Sequence, residues 1–270
     1  MDTMTEQEAD VPEVLNRLWG AQTPGRRGPK AALSVDAIVR GAVEIAETDG
    51  LDAVSMARVG KALGYSAMAL YRHVADKDEL LLLMSDAVGG LMELPDLDGM
   101  SWRAAMELWT RTQIECMVAR PWILDLPLSA TAPGPQRLRW VDAAFDALVE
   151  LDLSFAHKLE IIGILSQYVL GEARVVAESQ RTAADIVRRE AGLDPATPIA
   201  DLDPDALAAA DPYAAFEVVL TKLAGPERFP AITAALADAD DDDASDDDSW
   251  IGLSVMLDGI EKFVEGRRRG

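Results

Sequence analysis

Cysteine and histidine are nearly missing from this chain: 270 residues contain one Cys and two His. A single thiol, Cys116, excludes an internal disulfide and fits a reducing compartment. His73 and His157 have no Cys or His partner at metal-ligand spacing. The chain also lacks a phosphate-cradling glycine loop after a strand and a nucleophile elbow, so the usual catalytic assemblies are absent. No enzyme activity, no metal site and no cofactor are expected. No apolar run approaches membrane-spanning length, and the acidic opening Met1-Asp2-Thr3-Met4-Thr5-Glu6 lacks the apolar stretch of a signal peptide. The expectation is a cytoplasmic protein with no membrane partner. Positive charge is scarce too, with 25 Lys and Arg against 47 Asp and Glu, for a net charge of −22.

That imbalance speaks against a nucleic-acid partner until its distribution is read. From Gly20 to Ala75, seven cations (Arg26, Arg27, Lys30, Arg40, Arg58, Lys61, Arg72) face five acids, a balance of +2. The rest of the chain carries the acid and would be repelled by phosphates, orienting the small basic face toward a duplex. Hydrophobic residues make up 49% of the chain, which excludes wholesale disorder and leaves room for one small and one larger domain.

The segment Ser55 to Leu80 organises the remainder. Ser55 is an N-cap for a first helix with Met56, Val59, Ala62 and Leu63 at helical spacing, and Gly64 ends it in the left-handed conformation. Ser66 caps a second helix that buries Ala69 and Leu70 and leaves Tyr71, Arg72 and His73 near its end. Asp76 then caps a third helix beginning Lys77-Asp78-Glu79-Leu80. A helix, a glycine turn and a short second helix form the layout of a helix-turn-helix DNA reader.

Leu63-Gly64-Tyr65-Ser66, Leu70-Tyr71-Arg72-His73-Val74 and Lys77-Asp78-Glu79-Leu80 together resemble the signature of the TetR family of transcriptional repressors. The preceding helix, Ala37 to Gly50, fits that family's first helix. The likeness is specific over Ser34 to Leu83, and length and helical texture beyond it point to the tetracycline-repressor branch. The resemblance implies that Tyr65, Ser66, Ala67 and Met68 face base edges, with Met68 and Ala67 against thymine methyls and Ser66 as a hydrogen-bonding group. It implies phosphate contacts for Tyr71, His73 and Lys77, with Ser55 adding one from the start of its helix. It also supports minor-groove insertion by the Gly- and Pro-flanked cations Arg26, Arg27 and Lys30; the bland alternative for that arm is a solvated linker. Ala57 stands where the tetracycline repressor carries a base-reading arginine, so that repressor's operator is not transferable.

Further along, Lys77 to Leu94 reads as a long helix, broken softly at Gly89-Gly90 and firmly at Pro95, that joins the DNA head to a second domain. A helix from Ser101 to Arg120 places Trp102, Met106, Trp109, Gln113, Cys116 and Met117 along one face; Trp122 and Trp140 follow. Large aromatics and Met around one polar Gln suit a cavity for a flat, mostly apolar ligand, and the family normally has a pocket here; plain core packing is the bland reading of each tryptophan. Tyr168 and Glu172, one turn apart on a helix from Ser154 to about Arg181, are further ligand candidates. Neither histidine lies on the Trp102 to Met117 face, so tetracycline with magnesium is not the expected effector. The helix over 154–181 and a second apolar helix over 250–264 resemble the family's four-helix dimer interface. Between them, 238–248 holds eight aspartates in eleven residues. Self-repulsion predicts a disordered acidic loop, and the absence of a Gly and a closing Glu argues against a calcium loop.

The sequence therefore predicts an all-α chain: an N-terminal extension and basic arm over 1–30, a three-helix helix-turn-helix domain over 31–78, and a ligand-binding and dimerisation domain over 79–270. The expected function is a homodimeric repressor that binds a palindromic double-stranded DNA operator and is released by a small, largely apolar or aromatic effector. The runner-up is a helical small-molecule sensor or sequestering protein without operator binding.

Overall fold

In the computed structural model, residues 13–20, 33–127, 134–212, 219, 220, 222, 225, 227–237 and 250–268 are described, and no strand occurs among them. The basic arm with Arg26, Arg27 and Lys30, the acidic tract 238–248 and most of the helix expected near 214–223 lie outside these residues. The helices are α1 Glu13–Gly20, α2 Val35–Asp49, α3 Met56–Leu63, α4 Ala67–Leu70, α5 Lys77–Leu91, α6 Trp102–Ala119, α7 Pro135–Ala147, α8 Phe155–Ala191, α9 Pro204–Ala209, α10 Pro230–Ala237 and α11 Ile251–Arg268. The chain divides into two compact units, Met1–Gly163 and Ile164–Gly270.

In the first unit the helix starts follow side-chain caps. Ser34, Ser55, Asp76 and Ser101 each accept a hydrogen bond from the backbone N–H three residues on, at the heads of α2, α3, α5 and α6. Ile38, Ala42, Ile45 and Ala46 of α2, Val59 of α3 and Leu70 of α4 are all buried. Gly64 takes φ +79°, and Tyr65 N–H donates to the Gly60 carbonyl at 2.8 Å, closing α3 into the turn. Gly60 has a separate reason to be glycine: a Cβ there would stand 2.9 Å from the Tyr65 carbonyl oxygen.

Helix α5 runs through Gly89 and Gly90 without a break and ends at Leu91. Packing demands Gly89, since a Cβ there would lie 2.8 Å from the Gln136 backbone of α7; one on Gly90 would meet only the end of the Gln136 side chain, at 3.2 Å. The acidic Asp86, one turn earlier, is buried at 4% exposure and accepts from the Gln136 and Arg137 backbone N–H groups at the head of α7. Burial pushes its carboxyl above the ordinary 3.8, partly opposed by those two backbone hydrogen bonds.

In the second unit α8 extends well past the expected Arg181, to Ala191. Its last turns pack Ala184 and Val187 on Leu202, and Ser179 donates to Asp211 at 2.9 Å. Leu253, Leu257, Ile260 and Val264 form the buried face of α11.

Candidate functional site

The head presents its expected reading residues on the outside. Helix α4 is a single turn, Ala67–Leu70, inserted by the fully buried Leu70; Tyr71, Arg72 and His73 continue as a hydrogen-bonded turn, with His73 and Val74 N–H donating to the Leu70 carbonyl. Tyr65, Ser66, Met68, Tyr71 and Lys77 are exposed, and Ala67 and His73 are half-buried. Met68 is 73% exposed and Tyr71 46%, a high value for an apolar side chain beside a well-packed core. Ser66 stands in the N-cap position but its hydroxyl makes no capping bond. The Ser55 hydroxyl, in contrast, accepts from Arg58 N–H at 3.2 Å. Arg58 is also paired with Asp49.

The expected effector residues fall in two groups. Met106, Trp109, Gln113, Trp122 and Trp140 are buried, and Trp102 and Met117 are half-buried. Three of them, Gln113, Trp109 and Trp140, are joined by polar contacts that end on Gly89. The Gln113 amide donates to the Trp109 carbonyl at 3.0 Å, the Trp109 indole donates to the Trp140 carbonyl at 2.9 Å, and the Trp140 indole donates to the Gly89 carbonyl of α5 at 3.1 Å. Trp109 and Trp140 also pack with ring centroids 6.4 Å apart. Trp122, 5% exposed, differs: its buried indole N–H has no hydrogen-bond partner among the described residues. Tyr168 and Glu172 belong to the second unit. There the pKa of the Tyr168 phenol is raised above its ordinary value, first by burial and then by the Glu172 charge, while a hydrogen bond accepted from the Leu253 backbone opposes the shift. Arg174 pairs with Glu178 at 3.6 Å.

Three contributors escape a reading by motif. Arg17 of α1 reaches Glu79 and the turn after α4. Asp86 caps α7 from another helix, and its only sequence signal is an acid in the apolar run of α5. Arg120, at the end of α6, donates to Glu47 of α2 at 3.0 Å.

Two family models match this chain. "Bacterial regulatory proteins, tetR family" covers residues 38–84, and "Tetracyclin repressor-like, C-terminal domain" covers 94–264. The chain is 32% identical over 267 residues to HTH-type transcriptional repressor DrrR1 of Streptomyces coeruleorubidus, covering 98% of this chain and 91% of that protein. Apo ActR from Streptomyces coelicolor shares the fold, with a TM-score of 0.64 at 22% identity over 88% of this chain and 99% of its own. ActR in complex with (S)-DNPA gives a TM-score of 0.52 at 25% identity, over 76% of this chain and all of the other. With its helix-turn-helix head and helical C-terminal region each matched, the chain belongs to the TetR family of DNA-binding transcriptional repressors.

Proposed function

We propose that the protein is a homodimeric repressor that grips a palindromic operator through Tyr65, Ser66, Ala67, Met68, Tyr71, His73 and Lys77, with Arg26, Arg27 and Lys30 reaching the adjoining groove. The observation that carries this reading is the outward display of Met68, Tyr65 and Tyr71 from an otherwise well-buried head. Water gains nothing from such a surface, whereas a major groove offers thymine methyls to Met68 and phosphates to the Tyr71 hydroxyl. Dimerisation supplies the second reading helix that a useful operator requires. Exposed Ile164, Leu170 and Val175 on α8 and Ile251, Val255 and Phe263 on α11 support the pairing through 154–181 and 250–264. No helix among the described residues is long and apolar enough to cross a membrane, which fits a cytoplasmic site of action.

The effector is a small aromatic molecule bearing an oxygen acceptor. The buried Trp109, Trp122 and Trp140 supply apolar surface, and the unpaired Trp122 indole N–H supplies a donor in want of an acceptor. ActR is known in complexes with (S)-DNPA and actinorhodin, so a relative of this fold does accept organic ligands.

The test is anisotropy titration of the full-length protein against a duplex from beside its own gene, at several salt concentrations. Tight binding that weakens steeply with salt and is lost on combined Tyr71→Phe and Lys77→Ala substitution is expected. Absence of salt-dependent duplex binding would leave the sensor-without-operator reading, and binding unchanged in that variant would overturn the contacts assigned to Tyr71 and Lys77. Quenching of tryptophan fluorescence by actinorhodin, diminished in Trp122→Phe, tests the effector side.

A further inference from the structure

Helix α1 lies outside the segment matched by the DNA-binding family model, which begins at residue 38. Its side chains nevertheless reach the turn that follows α4. Leu18 is buried, and around it stand Val35 and Val39 of α2 and Leu83 of α5. One turn of α1 away, Val14 and Arg17 face Ala75, Asp76, Glu79, Leu81 and Leu82. Arg17 Nη1 donates to the His73 carbonyl at 3.0 Å and to the Glu79 carboxylate at 3.3 Å. The Glu79 carboxylate also accepts from Ala75 N–H, while Glu79 N–H donates to Asp76 at 2.8 Å. Asp76 and Glu79 thus cap the start of α5 together. The Glu79 side chain is 9% exposed and that of Arg17 30%, so the pair is shielded from water far better than an ordinary surface ion pair.

The contacts bracket the seven residues from His73 to Glu79, the connection that carries the chain from α4 into α5. Tyr71, His73 and Lys77 are in or next to it. A four-residue helix has little stiffness of its own, so the placement of these groups depends on what holds the connection. Arg17 holds it at both ends with charge-assisted hydrogen bonds.

We propose that Arg17 is a positioning residue for operator binding: from α1 it fixes the turn that follows the reading helix, so that Tyr71 and Lys77 meet phosphates in register. The inference rests on the phosphate contacts assigned above to Tyr71 and Lys77. Arg17 itself touches no DNA, and its loss therefore leaves the number of neutralised phosphates unchanged.

The experiment uses the full-length protein and a duplex it selects from a randomised pool. Tyr71→Phe and Lys77→Ala are measured first; if neither weakens binding, the assigned phosphate contacts fail and this inference with them. If they do weaken it, Arg17→Ala is expected to lower affinity about tenfold, with the slope of log affinity against log salt unchanged and the far-ultraviolet circular dichroism preserved. Lys77→Ala should then cost less in the Arg17→Ala background than alone, because Lys77 is already displaced. Arg17→Lys keeps the charge, but its ammonium falls one bond short of the Nη1 position from which both acceptors are met, and is expected to lose about threefold. Unchanged affinity in Arg17→Ala or Arg17→Lys would overturn the proposal while sparing the phosphate contacts. So would a salt slope reduced by about one, the mark of a direct phosphate contact. Strictly independent costs for Arg17 and Lys77 would reduce Arg17 to a stabilising residue and overturn it too.

Discussion

Gly134 has no side chain because the Asp86 carboxylate occupies the place where one would begin: a Cβ on Gly134 would stand 2.2 Å from the Asp86 Cγ and Oδ1 atoms. Gly134 is the N-cap position of α7, where a Ser or Asp ordinarily caps its own helix, and here an acid from α5 does that work. The favour is returned at the other end. The Gly89 carbonyl lies in the last turn of α5, where intrahelical donors run out, and the Trp140 indole of α7 supplies one. Each helix completes a terminus of the other, so α5 and α7 are tied together at two points, with α6 attached through Trp109.

Asp86→Ala removes the acceptor for two part-buried N–H groups and is expected to cost about 1–3 kcal/mol in urea unfolding of the full chain. Gly134→Ala forces the same separation sterically and should cost at least as much. A neutral result in both would show that α7 caps itself by other means.

The pH dependence has a defined sign. The folded-state pKa of Asp86 lies above its unfolded value of 3.8. Stability from this group is therefore complete below that value and is lost as pH rises toward and through the raised one. Asp86→Asn lacks that loss, so the stability of wild type minus that of the variant should fall as pH increases across this window. The comparison is made by urea denaturation on the high side of the isoelectric point, near 4.3, to avoid precipitation. A flat difference would place Asp86 at its ordinary value.

Trp140→Phe keeps the ring packing against Trp109 but leaves the Gly89 carbonyl without its indole donor. A loss of about 1–3 kcal/mol is expected. Trp109→Phe should cost less, because the Trp140 carbonyl lies within α7 and has a helical donor available. Equal effects would contradict the asymmetry of the two hydrogen bonds.

Gly60→Ala should abolish operator binding at substitution of one methyl, since the Cβ can be accommodated only by displacing the Tyr65 carbonyl and with it the start of α4. Gly64→Ala, at φ +79° but in open space, meets only backbone strain of about 1–2 kcal/mol and should retain binding at low temperature. Anisotropy titration of the two variants separates these outcomes.

Val255, 63% exposed on α11, and Ile251, 62% exposed one turn before it, are the places to test assembly. A Val255→Glu, Ile251→Glu double variant is expected to sediment as a monomer and to lose operator affinity by more than tenfold, with its far-ultraviolet spectrum intact. A dimer that survives both charges uses another face.

The fold class and the reading head were legible because their signals are local. Ser55, Gly64 and Asp76 mark helix ends by their own backbone chemistry, and Ile38, Ala42 and Ile45 mark a buried face by spacing alone. Gly89-Gly90 misled for the same reason: read locally, two glycines weaken a helix, and only the approach of the Gln136 backbone explains why α5 carries Gly89 and still continues. The end of α8 was likewise hidden, because its last turns are held by Leu202, far along the chain.

Composition, periodicity and capping thus determined by themselves an all-helical protein with a helix-turn-helix layout near its start, since each of those signals is complete within a few residues; that this layout reads DNA followed from the resemblance of its motifs to the TetR signature. Tertiary structure alone decided that Gln113, Trp109, Trp140 and Gly89 form a connected line, that Asp86 caps a helix it does not belong to, and that Arg17 holds the turn beyond the reading helix. Those contacts join residues roughly 30 to 60 positions apart for the most part, and a side chain's partner at that distance is fixed by how helices pack, which no local pattern encodes.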